Sequence, residues 1–223
     1  MTGLRRDAQS NLERVLAAAA EVFATQGLSA TQADVARHAG VGVGTVYRRF
    51  ANKDDLIYEV YATPIRAGEE LARSASTAPD IWDGFVRFFE LSIQMLANDR
   101  GLRELTTGGF TASLGWSRGT PPHRLAALVH ENHQTMGTHL TKLVRRAKKA
   151  GVLRADFHAT DMMLLSVGVQ AAIALGGAER PDLYRRALGY LLDGLRPTRT
   201  GVTELPARPL SDADLLLMRQ RRS

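Results

Sequence analysis

The chain has 223 residues, of which 44% are apolar, 23% charged and 6% aromatic, with 20 Gly and 8 Pro; this balance excludes a disordered, collagen-like or coiled-coil-rod protein and leaves room for one large domain or two unequal ones. It contains no Cys, which rules out disulfide frameworks, thiolate nucleophiles, iron–sulfur clusters and cysteine zinc sites and suits a reducing cytoplasm. The formal charge of +6 favours an acidic partner such as nucleic acid, whereas the absence of a signal-like apolar run after MTGLRRDAQSNLERV, and the interruption of the stretch 162–177 by Ser166 and Gln170, predict neither export nor membrane insertion.

Helical spacing recurs nearly throughout and no run alternates apolar with polar residues, so the expected fold class is all-α. Leu12, Val15, Leu16, Ala19 and Phe23 step by three and four residues, and Gly27-Leu28 has the form of a helix stop with its apolar follower. Thr31-Gln32-Ala33-Asp34 has the form of a capping box, opening a short helix with Val35 and Ala36 inward that stops at Gly40. Gly42 or Val43 opens a third helix with Val46 and Phe50 inward, and Asn52, with Asp55 three residues on, caps a fourth carrying Leu56, Ile57, Val60 and Tyr61.

Three short helices, the last two joined by a glycine turn, make a helix-turn-helix pattern, in which the third helix enters the major groove. Residues 1–60 carry seven basic and seven acidic side chains, yet 35–53 hold Arg37, Arg48, Arg49 and Lys53 with no carboxylate. Phosphate contact requires such a local excess of cations. The glycine run 40–44 before Thr45 is not a phosphate loop, because it lacks the Lys before Thr and follows a helix instead of a strand. Arg5 and Arg6 read either as a solvated terminus or as an arm toward a minor groove.

The segment DVARHAGVGVGTVYRRFANKDDL resembles the signature of the tetracycline-repressor-like (TetR) family of bacterial transcription regulators, over residues 10 to 61. The resemblance rests on AGV, GT, the Tyr, the Phe before the fourth helix and the Lys at its start. Carried over by position, it implies that Val43, Gly44, Thr45 and Arg48 face the groove from the recognition helix, and that Tyr47, Lys53 and the helix end at Thr31 bind phosphates. Elementary chemistry agrees: Gly44 admits close backbone approach, Thr45 and Tyr47 offer hydroxyls, and Lys53 adds charge at a helix N-terminus. Of Arg48 and Arg49, one is expected to read guanine and the other to hold phosphate. Gly42 departs from the family, which often has Ser or Thr there, so that position offers only its backbone N–H.

Beyond the motif, Pro64 either ends the fourth helix near Ala62 or kinks it before it continues to Ser74. An amphipathic helix is expected over Ile81–Ala97 with Phe85, Phe88, Phe89 and Met95, then a weaker one over Gly101–Thr107 and a turn-rich loop, 106–122, holding Phe110 and Trp116. The longest helix, Pro122–Ala150, has an inward stripe of Leu125, Val129, Met136, Leu140 and Leu143, with Asn132, His133 and His139 at its edge. His130 and His133 are poorly aimed for a shared metal, and no metal is expected. The basic cluster Arg145, Arg146, Lys148 and Lys149 reads as a solvated end matched to the helix dipole. Thr160–Leu175 is apolar nearly all round, and Leu183–Leu195 has a stripe of Leu188, Leu191, Leu192 and Leu195. A helix apolar on two faces needs two partners, and in the TetR family the last two helices build a four-helix dimer interface. Residues 197–210 should be a linker, and Ser211–Arg222 a short terminal helix.

These features divide the chain into a helix-turn-helix domain, 1–52, a regulatory and dimerisation domain, 53–196, and a linker and tail, 197–223. Phe85, Phe89, Phe110, Trp116, Asn132, His133 and Met136 are the candidate ligand-lining residues. The expected protein is a cytoplasmic homodimer that binds a palindromic operator in double-stranded DNA, is released by a small-molecule effector, requires no cofactor, makes no membrane contact and is not an enzyme. A helical enzyme built on His133 and His139 is the rival, and it lacks paired carboxylates or a nucleophile with its base.

Overall fold

The structure, a computed structural model, describes residues 2–106, 123–176 and 182–197. Phe110, Trp116 and the tail with its expected terminal helix therefore lie outside the described residues. Regular structure among those described is entirely helical: α1 Thr2–Gln26, α2 Gln32–Ala39, α3 Val43–Arg49, α4 Lys53–Thr77, α5 Ile81–Asn98, α6 Arg100–Thr106, α7 His123–Lys149, α8 Asp161–Gly176 and α9 Leu183–Gly194. The protein is all-α. No helix among the described residues is long and apolar enough to cross a membrane.

The described residues fall into two compact units, one within Met1–Arg66 and Asn98–Glu131, the other within Ala67–Ala97 and Asn132–Arg222. In the first unit α1 packs on α2 and α6, and α2 on α3. Val15, Ala19, Val22 and Phe23 form the buried stripe of α1, and with Val35, Val46, Leu56 and Ile57 they close a core in which each is at most 3% exposed. Burying each such large side chain contributes roughly 1.5–3 kcal/mol before entropy is counted. Two helices end where left-handed backbone is required, at Gly27 (φ 81°) and Gly40 (φ 64°), and a Cβ at either would be strained. Pro64 lies inside α4, which runs unbroken through it to Thr77. The ending near Ala62 does not occur; of the two expectations the continuation past Pro64 holds, with the helix running three residues beyond Ser74, because proline removes one donor and leaves the remaining ladder of a long helix in place. The two units divide two residues beyond it, between Arg66 and Ala67.

The second unit is centred on α5, whose Phe85, Phe88, Phe89 and Ile93 are buried against Leu143, Val144 and Ala147 of α7 and against Leu153, Phe157 and Met162. The ring of Phe85 stacks on Trp82 at 5.7 Å and meets Phe157 edge-on at 6.0 Å between centroids. Arg146 departs from the solvated role expected of it. Its guanidinium donates to the carbonyls of Ser76 at 2.6 Å and Ala78 at 3.0 Å, so it caps the end of α4, where the last carbonyls of a helix lack partners. On α8 one face carries buried Met162 and Val169, while Leu164, Val167 and Leu175 on the other are 53%, 50% and 82% exposed. On α9, Tyr184 and Leu188 are buried and Tyr190 is 65% exposed.

Candidate DNA interface

The segment 31–53 is held by local bonds that its sequence dictates. Thr31 caps α2 as expected: its hydroxyl accepts from the Asp34 amide at 3.1 Å, and the Thr31 amide donates back to the Asp34 carboxylate at 2.9 Å. The Thr31 hydroxyl also donates to the Asp34 carboxylate at 2.7 Å, and this bond first, then the one from the Thr31 amide, with Arg37 adding to them, pulls the Asp34 pKa down to about 2. Arg37 itself is ion-paired with Asp34. The cationic excess of the segment therefore comes down to Arg48, Arg49 and Lys53, since Asp34, one residue outside the carboxylate-free stretch, takes up the fourth charge. A phosphate at Thr31 would meet a hydroxyl already engaged within the capping box.

Helix α3 starts at Gly42 with no side-chain cap, leaving its first turn to the bond from the Thr45 amide to the Gly42 carbonyl at 2.8 Å. Its two faces are cleanly separated. Val46 is fully buried and Phe50, at the C-cap, 4% exposed, whereas Val43, Gly44, Tyr47, Arg48 and Arg49 are exposed and Thr45 half-buried. Tyr47, 51% exposed, is thus a surface aromatic and not a core residue. Arg48 Nε donates to the Gly44 carbonyl at 3.1 Å, which lays the guanidinium back along the exposed face. Asn52 caps α4 through its side-chain oxygen, 2.8 Å from the Asp55 amide. At the first position of that helix, Lys53 is half-buried and its ammonium donates to the carbonyl of Leu28. Burial lowers its pKa, and the carboxylates of Asp54, Glu104 and Asp34 act against that shift.

Two contacts in this unit have no counterpart in the sequence pattern. Gln32, 6% exposed, donates its side-chain amide to the carbonyl of Phe50 at 2.8 Å and so ties the start of α2 to the end of α3. Glu104 on α6 accepts from the amide of Leu28 at 2.7 Å. A polar residue at the first position of a helix usually faces water, and neither Gln32 nor Glu104 carries a local signal of its distant partner.

The second unit distributes the candidate ligand residues less evenly. Phe85 and Phe89 are 0% and 3% exposed within the aromatic core. Asn132 is buried on α7, and His133 and Met136 on the same helix are half-buried. A groove of about 390 Å³ lies elsewhere, lined by Pro79, Ile81, Arg146, Lys149 and Ala150. Among the described residues no group of three or more His, Asp or Glu side chains is placed to hold a metal ion.

An exposed, carboxylate-free recognition helix on a buried three-helix base defines a helix-turn-helix DNA-binding protein. The chain belongs to the TetR family: the model of the tetR family of bacterial regulatory proteins matches residues 15–60, and that of the C-terminal domain of SbtR-like transcriptional regulators matches residues 82–197. It is similar to the HTH-type transcriptional regulator UidR of Escherichia coli K12, 25% identical over 201 residues that cover 87% of this chain and 97% of UidR. Among solved structures, a TetR transcriptional regulator from Streptomyces coelicolor is 26% identical with a TM-score of 0.56, over 84% of this chain and 99% of the other. FadR from Bacillus subtilis, solved with stearoyl-CoA, shares the fold at 17% identity and a TM-score of 0.53, over 83% of this chain and all of that one. The chain is a transcriptional regulator of TetR type.

Proposed function

We propose that the protein is a cytoplasmic, homodimeric repressor that binds a palindromic operator and leaves it when a small molecule binds the second unit. The observation that carries the proposal is the division of α3 into a buried face at Val46 and an exposed face of Val43, Gly44, Tyr47, Arg48 and Arg49. From that helix Val43, Gly44, the half-buried Thr45 and one of Arg48 and Arg49 meet base edges, while Tyr47 and the other arginine, with Lys53 at the start of α4 and the N-terminal end of α2 at Thr31, hold the phosphate backbone.

Dimerisation is supported by the stripe of Leu164, Val167 and Leu175 on α8. Exposing so much apolar surface in water is costly, and a second copy of the same helices would cover it about a two-fold axis. Two recognition helices then meet successive half-sites about one helical turn apart. The functional division runs between 1–52, which reads DNA, and 53–196, which dimerises and binds the effector. Asn132, His133 and Met136 are the candidate effector contacts there, Phe85 and Phe89 being closed within the packed core, and the structure of FadR with stearoyl-CoA is a precedent for a ligand within this fold. Because effector and operator act through one equilibrium, each must weaken binding of the other by the same factor.

Selection of bound duplexes from a random pool by the purified protein, at fixed near-physiological salt, tests the proposal. Enrichment of a palindrome is the expected result. Retention with no enriched sequence would overturn operator-specific binding and leave a nonspecific DNA binder.

A further inference from the structure

The amide and the carbonyl of Leu28 are bonded from opposite sides by elements far apart in the chain. The amide N–H donates to Glu104 Oε2 at 2.7 Å. The carbonyl accepts from the Lys53 ammonium. The Glu104 carboxylate is itself held, its Oε1 accepting from Arg100 Nε at 2.7 Å. It also lies directly over Gly27, where a Cβ would stand 2.6 Å and 2.8 Å from its two oxygens. Helix α6, which carries Glu104, is anchored independently on the same unit. Tyr61, fully buried, donates to Asp99 Oδ1 at 2.7 Å, the Leu102 amide donates to the same oxygen at 2.8 Å, and Gly101 leaves no room for a Cβ beneath the Tyr61 hydroxyl. The carboxylate thus has one place to be.

We propose that Glu104 is a positioning residue for DNA binding: by holding the amide of Leu28 it fixes that residue, and the carbonyl of the same residue, on the next peptide group, holds the Lys53 ammonium where a phosphate can meet it. The proposal rests on the assignment of Lys53 to the phosphate backbone. An ammonium has three donors, so one bond to Leu28 leaves two for a phosphate. A free lysine loses rotamer entropy when it binds, and one already tethered loses less. Glu104 would contribute to affinity in this way without touching DNA.

The test is a double-mutant cycle in the full chain, reading affinity for the selected duplex and its dependence on salt, with thermal unfolding as a check on folding. Because the dimer carries two copies of Lys53, Lys53→Ala should weaken binding roughly a hundredfold, the order of one charge-assisted hydrogen bond per subunit, and reduce the slope of log K against log salt by about 1.8. Glu104→Ala should lower both in the same direction, and adding it to Lys53→Ala should cost nothing further. Glu104→Gln, whose amide oxygen still accepts from Leu28, should bind like the parent. Glu104→Asp, too short to reach, should behave like Glu104→Ala and serves in its place if the alanine variant does not fold. Losses that add to those of Lys53→Ala, or that leave the salt slope unchanged, would assign Glu104 a purely structural role and overturn the proposal. An unchanged slope for Lys53→Ala alone would instead remove the phosphate assignment of Lys53, and the proposal with it.

Discussion

Replacing Gln32 with Leu removes one bond and little else. The Gln32 side-chain amide lies 2.8 Å from the Phe50 carbonyl and the residue is 6% exposed, so the carbonyl left behind has no ready access to water. Leaving a buried acceptor unpaired costs about 1–3 kcal/mol, and the added apolar surface of Leu, close in size to Gln, offsets only part of that. The net expectation is a loss of about 1–2 kcal/mol, measured as a lower midpoint in urea with the slope of the transition unchanged. Gln32→Glu sharpens the test, because a carboxylate faces the carbonyl with a second acceptor. It should lose more than Gln32→Leu at neutral pH and regain part of the difference when acid restores a donor to the carboxyl. A Gln32→Leu protein as stable as the parent would show that the Phe50 carbonyl is satisfied elsewhere and that α2 and α3 are not joined through Gln32.

Tyr47→Phe should weaken binding to all duplexes alike, whereas Arg48→Ala should also flatten the preference for operator over random DNA; equal losses on both for Arg48→Ala would transfer base reading to Arg49. Leu175→Glu, at a position 82% exposed on α8, should shift the protein from dimer to monomer in sedimentation without unfolding it, and an unchanged dimer would remove α8 from the interface. The Asp34 carboxyl, held at about 2 by Thr31 and Arg37, lies below its unfolded value near 3.9, so its contribution to stability is full above about pH 4 and is lost as the pH falls toward 2. Asp34→Asn should accordingly flatten the acid limb of the stability profile, and an acid limb identical to the parent's would show that the capping box makes no pH-dependent contribution.

What could be read from the sequence were contacts that close within a turn or two of chain. The Thr31–Asp34 box and the Asn52 cap both span three residues, and their side-chain types announce them. The inward faces at Val46 and Phe50 follow from helical period alone. Illegible were the bonds that fold the chain back on itself: Gln32 to Phe50 across 18 residues, Arg146 to Ser76 across 70 and Glu104 to Leu28 across 76. Each uses a polar side chain of a kind that is usually solvated, and only tertiary packing decides which one is not. Periodicity also places Phe85 and Phe89 on an inward face but cannot separate a packed core from a cavity wall; in the structure their rings are 5.8 Å apart between centroids within the core. Pro64 left two outcomes open because the helix around it is long enough to tolerate one missing donor.

Whether the exposed face of α3 reads sequence is decided by titrating the protein with the selected palindrome and with a scrambled duplex of equal length at several salt concentrations. The palindrome should bind at least about a thousandfold more tightly at physiological salt, and both affinities should fall as salt rises. Equal affinities for the two duplexes, falling together with salt, would contradict this, because the cations of the 31–53 segment would then be holding phosphates while no side chain of α3 reached a base.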